Sequence, residues 1–78
     1  MATMIRVEIN TATDRWDAMA NSDSTLKSVL QQEDVRFDNC MVHLNGMPLS
    51  NEELNKTFEQ LNVTDACTIS AIVKARNA

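Results

Sequence analysis

The chain has 78 residues, of which 44% are hydrophobic and 23% charged, so we expect one globular domain over residues 1–78. Its formal net charge is −4 and it has no run of Lys or Arg, which disfavours binding to nucleic acid or to an anionic membrane. No apolar run approaches the roughly 18 residues of a membrane span, and no signal-peptide pattern follows Met1. Two cysteines without such a signal predict a cytoplasmic protein with reduced thiols.

The first third of the chain predicts a hairpin followed by a helix. Apolar and polar residues alternate over 4–10 and again over 15–20, which is the period of half-buried strands. The polar run 21–25 is suited to capping a helix. The helix that follows is predicted to fade near residues 33–34, and its apolar stripe consists of Leu26, Val29 and Leu30.

The stretch from Cys40 to Leu49 predicts a second hairpin. Val42 and Leu44 alternate with polar or flexible residues, and the dipeptide at 45–46, Asn-Gly, favours a type I′ turn because both central residues then need positive φ. Pro48 has no backbone donor, so the strand after this turn should be very short or lie at the edge of a sheet.

The last third predicts a short helix and a central strand. Ser50 and Glu53 have capping-box spacing, and a short second helix or 3₁₀ turn is predicted to pack through Leu54, Phe58 and Leu61. The final strand is predicted over 68–74 with apolar residues on both faces, which is typical of a strand inside a sheet. The whole order predicts an α+β fold, a mixed sheet of four to five strands with the main helix on one face.

Four segments in this order resemble the ubiquitin-like β-grasp family over nearly the whole chain. They are the helix start at 25–29, the Leu-Asn-Gly-Met-Pro-Leu turn at 44–49, the threonine-led turn at 57–63 and the last strand at 68–74. The resemblance implies that the last strand lies centrally beside the first. It also implies that the exposed sheet face corresponds to the family's main partner-binding patch, with apolar family residues where His43 and Ile72 stand.

The C-terminal tail differs from that of the family. Ubiquitin and the related bacterial sulfur carriers of the ThiS and MoaD types end in Gly-Gly, which can thread a narrow enzyme channel because it lacks Cβ atoms. Here Asn77 and Ala78 stand in those positions, after a matching Arg76. The resemblance therefore implies an interaction domain first, and a ubiquitin-like modifier or sulfur carrier only as a disfavoured alternative.

The predicted protein-binding residues lie on the exposed sheet face, beside Arg6 and Glu8. One interpretation is an adaptable contact surface, since Met side chains can repack against different partners. The other is a set of scattered surface residues without a role. The predicted set is Met41, His43, Met47, Ser70 and Ile72.

No catalytic constellation is visible, so the chain is predicted not to be an enzyme and to hold no cofactor or metal. His43 has no His, Cys or acidic residue at ligand or general-base spacing, and Trp16 is expected in the core. Cys40 and Cys67 should begin antiparallel strands at opposite ends, too far apart for a disulfide. The acidic residues at 33, 34 and 38 are interpreted as solvated.

We expect a monomer with one protein partner; a third hypothesis is assembly through the edge strand beside Pro48.

Overall fold

A computed structural model describes residues 3–37 and 40–73. It contains a five-stranded sheet and two helices. In chain order the elements are β1 (Met4–Thr11), β2 (Arg15–Asn21), α1 (Leu26–Gln32), β3 (Cys40–Leu44), β4 (Met47–Pro48), α2 (Asn51–Leu54) and β5 (Ala66–Val73). Lys74 and the tail residues at 76–78 lie outside the described residues, as does Asp38 of the predicted acidic cluster.

The sheet has the strand order β2-β1-β5-β3-β4, which places the last strand in the centre beside the first. β1 and β5 run parallel, whereas the other three pairs are antiparallel. The predicted α+β architecture, with a mixed sheet, one main helix and a short second helix, is confirmed. The parallel pair is possible because the whole middle of the chain crosses over between β1 and β5.

The hydrophobic core lies between α1 and one face of the sheet. Alternate residues of β1 point into it, as the sequence predicted, and so do the apolar residues of the α1 stripe. Trp16 is half-buried at the border of this core, and its indole N–H donates to Glu33 Oε1 at 2.9 Å. The seven largest side chains with almost no exposure are Ile5, Val7, Ile9, Leu26, Leu30, Phe58 and Ile69.

The turn between β3 and β4 is confirmed in detail. Asn45 has φ 51° and Gly46 has φ 85°, the positive values that a two-residue type I′ turn requires. Asn45 also joins the turn to the central strand: its backbone N–H donates to the Thr68 carbonyl at 2.8 Å, and its Oδ1 accepts from the Thr68 N–H at 2.9 Å. These bonds to Thr68 could not be predicted from the sequence, because they depend on a residue that is 23 positions away.

The segment after β4 differs from the prediction. The capping box is present, but α2 ends at Leu54 rather than continuing through Phe58 to Leu61. The reason is competition for backbone groups: the Lys56 carbonyl accepts from Leu26 N–H, and Phe58 N–H donates to the Ser24 carbonyl. These bonds join the segment to the start of α1, so its groups cannot continue the α2 ladder. Phe58 is nevertheless fully buried, while Leu61 packs partly against the core.

β5 begins at Ala66, two residues before the predicted start. Ala66 and Cys67 pair with Arg6 and Val7 of β1, so the parallel ladder extends the strand backwards.

No helix of residues 3–37 and 40–73 has the length and apolar character needed to cross a membrane.

Candidate protein-interaction face

The outer face of the sheet is the face directed away from α1. Val42 and Leu44 of β3 are buried against the core, so the residues that alternate with them, Met41 and His43, point outward. On β5 the same alternation buries Ile69 and Ala71 and leaves Ser70 half-buried and Ile72 exposed. The outer face therefore receives side chains from both neighbouring strands.

Four of the five predicted binding residues form one block on this face. Met41 pairs with Ile72 and His43 pairs with Ser70 in the antiparallel register of β3 and β5. Directly opposite residues of such a pair have Cβ atoms about 4.5–5.5 Å apart on the same side of the sheet. Met41 and Ile72 are 48% and 49% exposed, so each keeps about half of its apolar surface in water. We call Met41, His43, Ser70 and Ile72 the outer block.

Met47 does not lie with the outer block, contrary to the sequence-based expectation. The register pairs Met47 with Leu44, a core residue, and pairs Pro48 with His43. Since a two-residue turn occupies 45–46, the residues that flank it must face each other, and this pairing could have been read from the sequence. Met47 is instead 70% exposed at the rim of the sheet, next to the block. The sequence interpretation therefore missed Pro48 as the residue that borders His43.

The rest of the outer face is polar near its centre. Arg6 and Glu8 lie there as predicted, and the Arg6 guanidinium contacts the Asp17 carboxylate at 3.2 Å. This exposed ion pair contributes little to stability. Two further exposed apolar residues lie at the far end of this face: Met19 pairs with Arg6, and Met4 is the next outward residue of β1. The two apolar ends of the face are thus separated by charged residues, which makes the outer block a bounded patch.

The outer block offers contacts rather than chemistry. Its functional groups are one imidazole, one hydroxyl and two apolar side chains, and the register places no carboxylate opposite His43. Among the residues that the structure describes, no three His, Cys, Asp or Glu side chains are grouped as metal ligands. Such an arrangement can bind an apolar surface with a polar margin.

Both cysteines are free thiols, as expected. Cys40 pairs with residue 73 at one end of β5, whereas Cys67 lies near the other end, roughly 20 Å away at the rise of a β-strand. Cys67 is buried, and this burial raises the pKa of its thiol to about 11. The thiol is therefore protonated at neutral pH and cannot act as a nucleophile there.

Solved structures share this arrangement of strands and helices. A ubiquitin-like protein from Trypanosoma brucei superposes with a TM-score of 0.72 at 20% identity, covering 96% of this chain and 100% of that one. The chain has the ubiquitin-like β-grasp fold. A ubiquitin-like domain of an Arabidopsis thaliana protein has the same TM-score at 13% identity, covering 96% of this chain and 82% of the other. The ubiquitin of Caldiarchaeum subterraneum matches at 0.68 and 16% identity, over 97% and 100% of the two chains.

These likenesses concern the fold alone, because the identities are low. No family model matches the sequence, and no curated protein matches it either. In this β-grasp fold the outer block lies on β5, the central strand of the sheet, and on its neighbour β3. The residues on which a modifier or carrier would depend, 76–78, are outside the described part of the chain.

Proposed function

We propose that this β-grasp chain is a non-enzymatic protein-interaction domain that binds a partner protein through the outer block. The observation that carries the proposal is the cross-strand pair of Met41 and Ile72. Two large apolar side chains lie together, half exposed, on a face whose centre is polar, while the core forms entirely on the opposite face. Burying this apolar pair under a partner would gain free energy that folding alone leaves unused.

The remaining residues of the block supply the polar contacts of such an interface. His43 and Ser70 lie directly beside the apolar pair and can donate or accept hydrogen bonds. Met41 has an unbranched side chain that can adapt to the shape of a partner. Met47, at the rim, is available to extend the contact. We place the interaction in the cytoplasm, because both thiols are free in the structure.

Affinity capture from native lysate tests this function. The bait is the full chain, compared with Ile72→Glu and with Met4→Glu as a matched control. Both variants add one negative charge at a half-exposed apolar residue of the outer face, 49% exposed for Ile72 and 54% for Met4. We expect the Ile72 variant to lose a partner that the wild type and the Met4 variant both retain. Capture of the same proteins by all three baits would contradict the proposal.

The alternative function is that of a ubiquitin-like modifier or sulfur carrier. The likeness to an archaeal ubiquitin favours it, whereas Asn77 and Ala78, which stand where the resemblance would place Gly-Gly, disfavour it. ATP–pyrophosphate exchange with a cognate adenylating enzyme separates the two. We expect no exchange with the chain as it is; the double variant Asn77→Gly, Ala78→Gly shows whether the tail alone is responsible. Exchange with the unaltered chain would establish the alternative instead.

A further inference from the structure

The two edges of the sheet differ in their capacity to pair with another strand. β4 forms one edge, and it offers only two residues, one of which is Pro48. β2 forms the other edge with seven residues and contains no Pro, Gly or Lys, which are among the devices that commonly protect an edge. The edge open to pairing is therefore β2, opposite the Pro48 edge that the sequence had indicated.

The alternation of hydrogen bonds along β2 shows which of its backbone groups point away from β1, toward the free edge of the sheet. At the two ends of the β1–β2 ladder, Thr11 N–H donates to the Asp14 carbonyl and Ser22 N–H to the Thr3 carbonyl, both at 2.8 Å. Because bonding alternates along an antiparallel ladder, even-numbered residues of β2 bond to β1 and odd-numbered residues face the free edge. Arg15, Asp17 and Met19 accordingly have N–H and C=O groups that contact no turn, loop or side chain of the described residues.

We propose that this edge is a self-association site, at which β2 of a second copy pairs antiparallel around a two-fold axis through Ala18. Asp17 would then bond to Met19 of the second copy, and Arg15 to Asn21 of the second copy. The two five-stranded sheets would form one continuous sheet. This proposal departs from the monomer that the sequence alone predicted, and it does not depend on the proposed role of the outer block.

The register through Ala18 is favoured over its neighbours by the residues it brings together. A continuous sheet requires paired residues to lie on the same face, so the axis must pass through a residue rather than between two. An axis at Asp17 places two carboxylates directly opposite each other, which is destabilising. An axis at Trp16 aligns only residues 15–17 of β2 and allows about four backbone bonds. An axis through Ala18 allows about six, because the Asn21 carbonyl already accepts from the Ser24 N–H at 3.0 Å.

The sizes and charges of the side chains of β2 also fit a second copy of this chain as the molecule that pairs with the edge. On the inner face, Trp16 would lie opposite Ala20, a large residue against a small one, and the two Ala18 methyl groups would meet at the axis. On the outer face, each Asp17 is already neutralised by Arg6 at 3.2 Å, and Arg15 faces the uncharged Asn21. No like charges lie directly opposite. The edge is thus complementary to itself in hydrogen bonding, size and charge.

A pair of seven-residue edges buries less than the roughly 1,200–2,000 Å² of a stable interface, so the dimer should be weak, with a Kd on the order of 100 μM. A two-fold axis perpendicular to the sheet directs both outer faces to the same side. If the outer block binds a partner, the dimer would therefore present two blocks together and could gain avidity toward a bivalent partner.

Sedimentation velocity of the full chain from ~10 μM to ~1 mM tests the proposal, a range that spans the expected Kd. We expect the wild type to shift from the 8.7 kDa monomer toward twice that mass. Met19→Pro removes an outward N–H but leaves the inward ladder, so it should stay monomeric, whereas Met19→Thr, which keeps the N–H, should dimerise.

A second pair of variants guards against misfolding of the proline variant. Arg15→Pro lies at the first residue of β2, where proline is best tolerated, and Arg15→Ala is its control. Ile72→Glu, outside β2, should dimerise like the wild type, which separates this proposal from the proposed function. A wild type that remains monomeric at every concentration would overturn the proposal, as would proline variants that fold and dimerise like the wild type.

Discussion

At the scale of single residues, the Asn45-Gly46 turn links the sheet edge to its centre. Both residues have positive φ, and Asn45 bonds twice to Thr68 of β5. The sequence predicted the turn because its chemistry is local to the two residues. It could not predict the contact with Thr68, because that contact exists only once β3 and β5 are paired.

Replacement of Gly46 by Ala should destabilise the fold through the backbone alone. A Cβ at this position would meet no atom within 4 Å, so packing adds nothing to the cost. The left-handed conformation of an L-residue should lower the free energy of unfolding by about 1 kcal/mol, measured by urea denaturation. A synthetic chain with D-alanine at the same position is the control and should retain wild-type stability. Equal losses in the two chains would contradict this explanation.

The buried Cys67 thiol should make the fold sensitive to alkaline pH. Its pKa is raised by burial from 9.0 to about 11, so the folded state holds the proton more tightly than the unfolded state does. The resulting stabilisation is complete below pH 9 and is lost as the pH rises toward 11. Between pH 8 and pH 10, the wild type should therefore lose more stability than Cys67→Ala, because all other groups titrate alike in both. Parallel urea midpoints for the two proteins would refute this.

At the scale of secondary-structure elements, short-range sequence patterns predicted correctly those features whose backbone groups bond to residues nearby in the chain. A cap of α1 within the polar run 21–25, the Ser50–Glu53 capping box and the strand alternation of β1 all follow from short-range patterns and are confirmed, and the capping residue of α1 is Thr25. The extent of α2 was wrong because its continuation bonds instead to the start of α1. The early start of β5 was missed for the same reason, since pairing with β1 sets it.

The capping box of α2 should make a pH-dependent contribution to stability. Glu53 Oε1 accepts from the Ser50 backbone N–H at 3.0 Å, and this bond lowers the pKa of the Glu53 carboxyl below 4.5. A lowered pKa stabilises the fold at pH values above 4.5 and ceases to do so as the carboxylate is protonated below it. Wild type should therefore exceed Glu53→Gln in urea midpoint at neutral pH, and the difference should shrink in acid.

Glu52→Gln is the control for this effect. It removes a neighbouring carboxylate that takes no part in the capping box. Its stability relative to wild type should change less with pH than that of the Glu53 variant. If both variants follow the same pH dependence, the capping hydrogen bond is not the cause.

At the scale of the whole molecule, the residues that stabilise the fold and the residues available to a partner lie on opposite faces of the sheet. The strands β1, β2, β3 and β5 direct one set of alternate residues into the core, and the other set forms the outer face. This division was predictable, because period-2 alternation assigns every residue of a strand to one face. The pairing of Met41 with Ile72 within that face required the strand order, which the resemblance implied and the structure shows.

The same separation makes the outer block testable without unfolding the protein. Ile72→Glu and Met41→Glu place a charge on side chains that remain half exposed in the fold. Each should leave the urea midpoint nearly unchanged, within about 0.5 kcal/mol, as is usual for surface substitutions. A large loss of stability would show instead that these residues belong to the core.

The most direct test measures the affinity of the captured partner for these variants by titration calorimetry, alongside their urea midpoints. Ile72→Glu and Met41→Glu should each weaken binding at least about tenfold, or ~1.4 kcal/mol, with stability preserved, while Met4→Glu binds like the wild type. Undiminished binding by both outer-block variants would contradict the proposed role of this face, and so would a loss of binding that the Met4 control shares.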